Sequence, residues 1–158
     1  MAGLAPENNY FMKKVFGILI AVFLLTGCKQ KIEPTDVAKI NGYWEIEKVV
    51  FEDGNEKQYG MNESFDYFRI DKKNTGIRKK VMPQLDGTFL VNDAFEKVKI
   101  RFVDNQTFLD YTTPYMKWSE EILVLSPIEL VVLNTEKKEY HYKKTGPINF
   151  DDYGKKTK

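Results

Sequence analysis

Short segments in which apolar and polar side chains alternate constrain the fold of this chain more than any other feature. In residues 96–103, Val98, Ile100 and Phe102 alternate with basic side chains, which is the period of two expected of a β-strand with one wet face. Similar segments recur between turn signals. The predicted strands are residues 43–51, 64–71, 77–82, 88–91, 96–103, 106–112, 116–125, 128–134 and 139–144.

No long segment has the period of a helix, and only residues 36–40 are expected to form a short helical turn. The pattern therefore predicts an all-β domain over residues 36–145, either a sandwich or a barrel. Because nearly every predicted connection is a short hairpin turn, we favour an antiparallel up-and-down β-barrel of eight to ten strands. Residues 146–158 are predicted to be a C-terminal tail.

A charge-free apolar run at residues 15–25 precedes this domain, with Lys13 and Lys14 before it and small residues after it. A basic start, an apolar centre and a small-residue end are typical of a secretory signal peptide, here residues 1–27. The run is too short for a transmembrane helix, which needs about 20 apolar residues. Met12 is an alternative start to the chain.

The sequence Leu25-Thr26-Gly27-Cys28 at the end of this run resembles the lipobox of bacterial lipoproteins. The resemblance implies that the chain is cut before Cys28 and that Cys28 carries acyl chains such as palmitate, which makes a membrane its first expected partner. Residues 28–35 are predicted to be the lipid anchor and a polar tether. In Bacteroidetes-type lipoproteins an acidic cluster after the cysteine resembles a surface-export signal, and none follows Cys28, so the resemblance implies a bacterial envelope protein that faces the periplasm. The residue after Cys28 is not aspartate, and for such lipoproteins the resemblance implies the outer membrane.

Charge and motifs argue against several classes of function. Two of the 24 basic and one of the 23 acidic side chains fall in residues 1–27, so the charges of the remaining chain balance and do not indicate a nucleic-acid partner. Cys28 is the only cysteine and His141 the only histidine, too few for a zinc site. Neither a G-x-S-x-G elbow nor a phosphate-binding glycine loop occurs. We expect no catalytic residues, no metal and no cofactor, and hence no enzyme.

The first predicted strand opens with Gly42-Tyr43-Trp44, which resembles the Gly-x-Trp of lipocalins. A closer similarity is to small lipocalin-like lipoproteins of Bacteroidetes, which combine a lipobox, a Gly-x-Trp strand, an Asp-Gly turn and a final Lys-Glu-Tyr-x-Tyr-Lys strand. Here that last motif begins at Lys138. The resemblance implies that Gly42 and Trp44 are structural residues at the closed end of the barrel and that Lys143 or Lys144 packs over the tryptophan.

Two functions follow from this fold. The barrel interior either binds a small hydrophobic ligand or is filled by side chains, since an eight-stranded barrel has room for one or the other. The candidate ligand-binding residues are Phe68, Ile70, Phe89, Val91, Ile100 and Phe102. With a filled core, the protein would instead dock an envelope protein through aromatic side chains near Pro114, namely Tyr111, Tyr115, Met116 and Trp118.

Overall fold

The structure is a computed structural model that describes residues 30–146. Within these residues one 3-10 helix precedes ten β-strands. The elements are the 3-10 helix Pro34–Ile40, β1 Gly42–Val50, β2 Glu56–Gln58, β3 Phe65–Ile70, β4 Thr75–Pro83, β5 Phe89–Val91, β6 Glu96–Val103, β7 Gln106–Thr112, β8 Lys117–Leu125, β9 Glu129–Leu133 and β10 Glu139–Thr145. The predicted signal peptide, the lipobox with Cys28 and residues 147–158 of the predicted tail lie outside the described residues.

Eight of the strands form a closed antiparallel barrel. Going round it, the order is β1, β3, β4, β6, β7, β8, β9 and β10, and β10 pairs with β1 to close the sheet. Each barrel strand therefore lies beside the next one in the chain. The predicted all-β, up-and-down barrel is confirmed.

Two short strands lie outside this ring. β2 pairs with the far half of β1, and β5 pairs with the far half of β4. β2 is not among the predicted strands because all three of its side chains are polar and exposed, so it has no alternation to detect. Its place in the sheet comes from the backbone hydrogen bonds of the hairpin that begins near Asp53 and Gly54.

One end of the barrel is closed by the segment that leads into β1. The Gln30 side chain exchanges two hydrogen bonds with the main chain of Leu125, donating to its carbonyl oxygen (3.0 Å) and accepting from its N–H (2.9 Å). Ile32 is buried, and the 3-10 helix Pro34–Ile40 then crosses the barrel end with Val37 inward. The domain thus starts earlier than the predicted boundary at residue 36, and the residues predicted to be tether pack against the barrel from Gln30 onward.

The apolar core fills the half of the barrel next to this closed end. Its side chains come from the closing segment and from the inward positions of six barrel strands, β1, β3, β6, β7, β8 and β9. They are Ile32, Val37, Ile40, Trp44, Phe68, Ile70, Val98, Ile100, Leu109, Tyr111, Ile122, Leu125, Leu130 and Val132. Opposed residues in the antiparallel pairs point to the same face of the sheet, so the strand register brings these side chains together. In the described part of the chain, no helix has the length and apolar character needed to cross a membrane.

In the hairpin that joins β3 to β4 at the closed end, the backbone of β3 lies very close to a glycine of β4. Gly76 faces Ile70 across this pair, and a Cβ at Gly76 would lie 1.9 Å from the carbonyl oxygen of Arg69. No side chain fits at that distance, so the register of the hairpin depends on glycine at this position.

Candidate ligand site at the open end of the barrel

Trp44 seals the closed end of the barrel. Its indole is fully buried, and Nε1 donates a hydrogen bond to the carbonyl oxygen of Ile40 (2.6 Å), the last residue of the 3-10 helix. Lys144 Nζ lies 4.3 Å from the centroid of the indole ring and donates hydrogen bonds to the carbonyl oxygens of Lys39 (2.6 Å) and Asn41. The lysine therefore ties the last strand to the closing segment.

Gly42 provides the space for this arrangement. Its φ is +115°, a region that favours glycine, and a Cβ there would lie 3.2 Å from Cε of Lys144. Of the two lysines considered from the sequence, Lys144 is the one over the tryptophan, whereas Lys143 forms an ion pair with Glu45 (3.3 Å) on the outer face. Burial lowers the pKa of Lys144 below its ordinary value.

Four of the six predicted ligand-binding residues belong to the packed half of the barrel. Phe68, Ile70 and Ile100 are buried members of the core, and Phe102 packs against it. They lie on the inner wall close to the closed end, and none of them borders the cavity described below. Their role in binding stays a prediction.

The other two predicted residues, Phe89 and Val91, do not face the interior, so the expectation that they line the inside of the barrel is wrong. β5 pairs Val91 with Val81, and Val81 is on the face of β4 opposite to the inward-pointing Arg78. Phe89 stacks on Tyr43 on the same outer face (ring centroids 4.3 Å apart), and Val91 is exposed. Alternation in the sequence shows that a strand has two faces. For a strand outside the barrel ring, such as β5, it does not show which face points towards the barrel interior.

The open half of the interior is charged rather than apolar. Arg78 contacts two other charged side chains of this region. Its side chain is only 12% exposed, and its Nε donates a hydrogen bond to Glu96 Oε2 (2.6 Å). Its guanidinium lies over the ring of Tyr111, with Cζ 4.2 Å from the centroid, and Nη1 lies 3.9 Å from Glu120 Oε2. Burial alone would lower the pKa of Arg78, but charge interactions with Tyr111, Asp66 and Glu96 and the hydrogen bond to Glu96 raise it above its ordinary value.

Glu120 is the least compensated charge of this group. One of its two carboxylate oxygens, Oε2, is buried and accepts no hydrogen bond from residues 30–146. Burial raises the pKa of Glu120, Arg78 and the Tyr111 hydroxyl oppose that rise, and the nearby carboxylates of Asp66 and Glu96 add to it. A buried carboxylate oxygen without a donor is costly, and Arg78 is what keeps the ionised form tolerable.

Asp66 extends the charged region towards β1. Its side chain is buried opposite Trp44 on the paired strand, and Lys80 Nζ approaches its Oδ1 to 2.8 Å, an ion-pair distance without hydrogen-bond geometry. The neighbouring Tyr142 has a pKa well above its ordinary value, chiefly because it is buried and further because Asp66 and Glu120 are negative.

The aromatic cluster predicted around Pro114 is divided between the inside and the outside. Tyr111 and Trp118 point inward and stack with their ring centroids 4.9 Å apart. Tyr115 is 95% exposed in the turn between β7 and β8, and Met116 beside it is exposed as well. The first pair packs the interior against Arg78, and the second forms part of the rim of the open end.

A cavity of about 780 Å³ opens between this turn and the connection from β5 to β6. It exists because β4 pairs with β6 only as far as Arg78 opposite Glu96 and then diverges to pair with β5. Its walls include Arg78, Lys80, Ala94, Phe95, Glu96 and Tyr115. The cavity therefore leads from the rim to the buried ion pair.

Sequence reasoning missed this charged interior, although the sequence contains a signal for it. Glu120 has the same strand parity as Trp118 and Ile122, and Glu96 has the parity of Val98. Parity thus places both carboxylates on the apolar, inward face of their strands. Arg78 has no such signal, since its inward neighbours on β4 are Gly76 and Lys80.

The one histidine lies away from this site. His141 is on the outer face of β10, with Nε2 3.3 Å from Glu139 Oε2. Across residues 30–146 no three histidine, cysteine, aspartate or glutamate side chains are grouped as metal ligands would be.

Comparisons with known proteins found two similar solved structures. One is a lipocalin-like protein from Bacteroides uniformis ATCC 8492, with 13% sequence identity, a TM-score of 0.44, and coverage of 68% of this chain and 99% of that one. The other is an uncharacterized protein from Bacteroides eggerthii DSM 20697, with 11% identity, a TM-score of 0.42, and coverage of 66% and 98%. No family model and no curated protein matches the chain. The assignment of the fold as a closed, eight-stranded up-and-down barrel therefore rests on strand order and register.

Proposed function

We propose that this chain is a lipid-anchored, lipocalin-like lipoprotein of the bacterial envelope whose barrel binds a small ligand at its open end. The observation that carries the proposal is the cavity of about 780 Å³ beside Arg78 and Glu96. Its volume is within the range of about 300–1,000 Å³ that small-molecule sites occupy. The role proposed is binding rather than catalysis, because the charged side chains at the base of the cavity are engaged with one another.

The walls of the cavity favour an amphipathic ligand over the purely hydrophobic one expected from the sequence. Phe95, Pro114 and Tyr115 offer apolar surface near the rim, whereas Arg78 and Glu96 offer hydrogen-bonding groups further in. The apolar residues of the closed half are packed against each other and away from the cavity. A ligand with an apolar body and a polar end fits both parts of this wall.

Anchoring is proposed on the sequence at Cys28 and its resemblance to a lipobox. Replacement of Cys28 by serine removes the acylated thiol and is expected to move the protein from the membrane fraction to the soluble fraction. Retention of the serine variant in the membrane fraction would contradict the anchor. Lys29, Gln30 and Lys31 follow the cysteine without an acidic cluster, which supports placing the protein at the outer membrane facing the periplasm.

Native mass spectrometry of the protein extracted from its own envelope tests ligand binding. We expect a small molecule to co-purify with the wild type and to be lost in Ala94→Trp, because Ala94 is in the wall of the cavity and an indole there fills it. Ala38→Trp is the matched control, since Ala38 is exposed on the 3-10 helix at the opposite end. Equal occupancy in both variants, or no bound molecule in the wild type, would refute the proposal.

A second candidate function, docking of an envelope protein, is favoured by the exposed Tyr115 and Met116 at the rim. Aromatic side chains and methionine are enriched at protein interfaces. In the same extraction, an envelope protein that co-purifies with the wild type and is lost in Tyr115→Ser, while Ala94→Trp retains it, would favour docking over ligand binding.

A further inference from the structure

We propose that the closed end of the barrel rests on the headgroup layer of the anchoring membrane, with Ile128 in contact with lipid, so that the ligand cavity faces away from that membrane. The inference rests on the proposed anchor at Cys28 and goes beyond it, because an anchor alone does not fix the orientation of the domain.

The chain joins the barrel at the closed end. Gln30 is held there by its two hydrogen bonds to the main chain of Leu125, the last residue of β8. Ile32 follows as a buried residue, and the Thr107 hydroxyl at the start of β7 donates to its carbonyl oxygen at 3.5 Å. The entry point is thus fixed by contacts with two strands of the barrel.

Only a short length of chain separates this point from the anchor. Cys28 precedes Gln30 by two residues, and an extended chain spans at most about 3.6 Å for each residue, or about 7 Å in total. β8 has nine residues, which at about 3.3 Å each and a tilt of about 40° gives the wall a height of roughly 20 Å. The tether is therefore much shorter than the barrel, and acyl chains at Cys28 hold the closed end against the membrane.

The surface around the entry point suits contact with lipid. Ile128 is 73% exposed in the turn between β8 and β9, three residues after Leu125, and its carbonyl oxygen accepts a hydrogen bond from Lys144 N (2.8 Å). Lys72 and Lys73 are exposed in the turn between β3 and β4 at the same end. An apolar side chain on one turn of this end and lysines on another turn of the same end suit the boundary between acyl chains and phosphate headgroups.

This orientation has a consequence for the route of the ligand. The rim with Tyr115 and the cavity behind it are at the far end of the barrel. The ligand then enters from the aqueous compartment or from a protein docked on the rim, and not from the bilayer that carries the anchor.

Site-directed fluorescence tests the orientation in the full mature protein, purified from the envelope and reconstituted in vesicles of phosphatidylethanolamine and phosphatidylglycerol. Because Cys28 is the only cysteine and its thiol is acylated in the proposed form, one added cysteine is the only free thiol. The variants are Ile128→Cys at the closed end, Lys99→Cys on the outer wall and Tyr115→Cys at the rim. All three positions are exposed, so the label does not disturb the core.

We expect lipids with a spin label near the headgroup to quench the fluorophore at position 128 strongly and to leave those at 99 and 115 unchanged, while dissolved iodide quenches 115 and 99 but spares 128. Stronger lipid quenching at 115 than at 128, or no lipid quenching at any position in protein that floats with the vesicles, would overturn the orientation and leave the anchor intact. Protein that does not float with the vesicles at all would overturn both the anchor and this inference.

Discussion

Replacing Arg78 by methionine removes the only cation of residues 30–146 that lies within ion-pair distance of the buried Glu120 carboxylate, and it keeps an apolar side chain against Tyr111. Both Arg78 and Glu120 have side chains that are only 12% exposed, and the hydrogen bond of 2.6 Å to Glu96 is lost as well. Breaking a buried pair by removing one partner costs about 3–5 kcal/mol, since it leaves an uncompensated charge. Glu96 keeps more contact with water than Glu120, so we expect about 3 kcal/mol.

Arg101 provides a matched control for this variant. Its Nε donates to Asp110 at 2.7 Å and its Cζ lies 4.7 Å from the centroid of the Phe108 ring, so its contacts resemble those of Arg78. The difference is exposure, because the side chain of Arg101 is 41% accessible. Exposed ion pairs contribute about 0–1 kcal/mol, and Arg101→Met is expected to cost no more than about 1 kcal/mol.

Urea unfolding followed by tryptophan fluorescence measures both variants. With an m value of about 2 kcal/mol/M, the midpoint should fall by about 1.5 M for Arg78→Met and by less than about 0.5 M for Arg101→Met. Adding Glu120→Gln to Arg78→Met should recover part of the loss, because the buried charge is then gone. Equal losses in the two single variants, or no recovery in the double variant, would refute the reasoning that burial makes the Arg78 network important.

Three further predictions concern single residues. Gly76→Ala is expected to lower the free energy of unfolding by more than about 3 kcal/mol, since its Cβ would lie 1.9 Å from the Arg69 carbonyl oxygen. Gly60→Ala is the control, because Gly60 has open space around it, and it should change that free energy by less than about 0.5 kcal/mol. Thermal unfolding measures both variants, and a stable Gly76→Ala protein would contradict the hairpin geometry. Lys144→Met is expected to lower the free energy of unfolding by about 1–3 kcal/mol, because the Lys39 and Asn41 carbonyl oxygens lose their donor. Urea unfolding measures this loss, and Lys143→Met, on the outer face of the barrel, should have little effect. The pKa of Glu120 in the folded protein is raised above its ordinary value of 4.5, so the folded state binds the carboxyl proton more tightly than the unfolded state does. Stability should therefore fall as pH rises from 4.5 towards the folded-state pKa of Glu120. Glu120→Gln should flatten this part of the profile of stability against pH, and an unchanged slope would contradict the burial of the ionised group.

Much of the fold could be predicted because strand alternation is a local property of the sequence. Residues 96–103 alternate without interruption, and the predicted bounds match β6 Glu96–Val103. The order of strands around the barrel follows from short connections, since consecutive strands joined by hairpin turns pair with each other. β2 escaped because its hydrogen bonds depend on the turn that precedes it and not on its own side chains.

The position of the site could not be predicted in the same way. Whether Phe89 faces inward depends on the divergence of β4 from β6, which is a tertiary event with no local signal. The six residues predicted to bind a ligand are apolar, because a barrel that binds a hydrophobic ligand is expected to have an apolar interior. The cavity instead forms where the interior is charged. Alternation along the strands alone would have placed Glu96 and Glu120 inside the barrel. That placement conflicts with the general rule that charged side chains face water, so the two arguments from sequence gave opposite predictions.

The most direct test of the central claim is a map of backbone amide chemical shifts before and after addition of the small molecule that co-purifies with the protein. Binding at the open end predicts large shifts at Arg78, Phe95 and Tyr115, which border the cavity, and small shifts at Phe68 and Ile100 in the packed half. Shifts concentrated at Phe68 and Ile100 would place the ligand in the closed half and contradict the account.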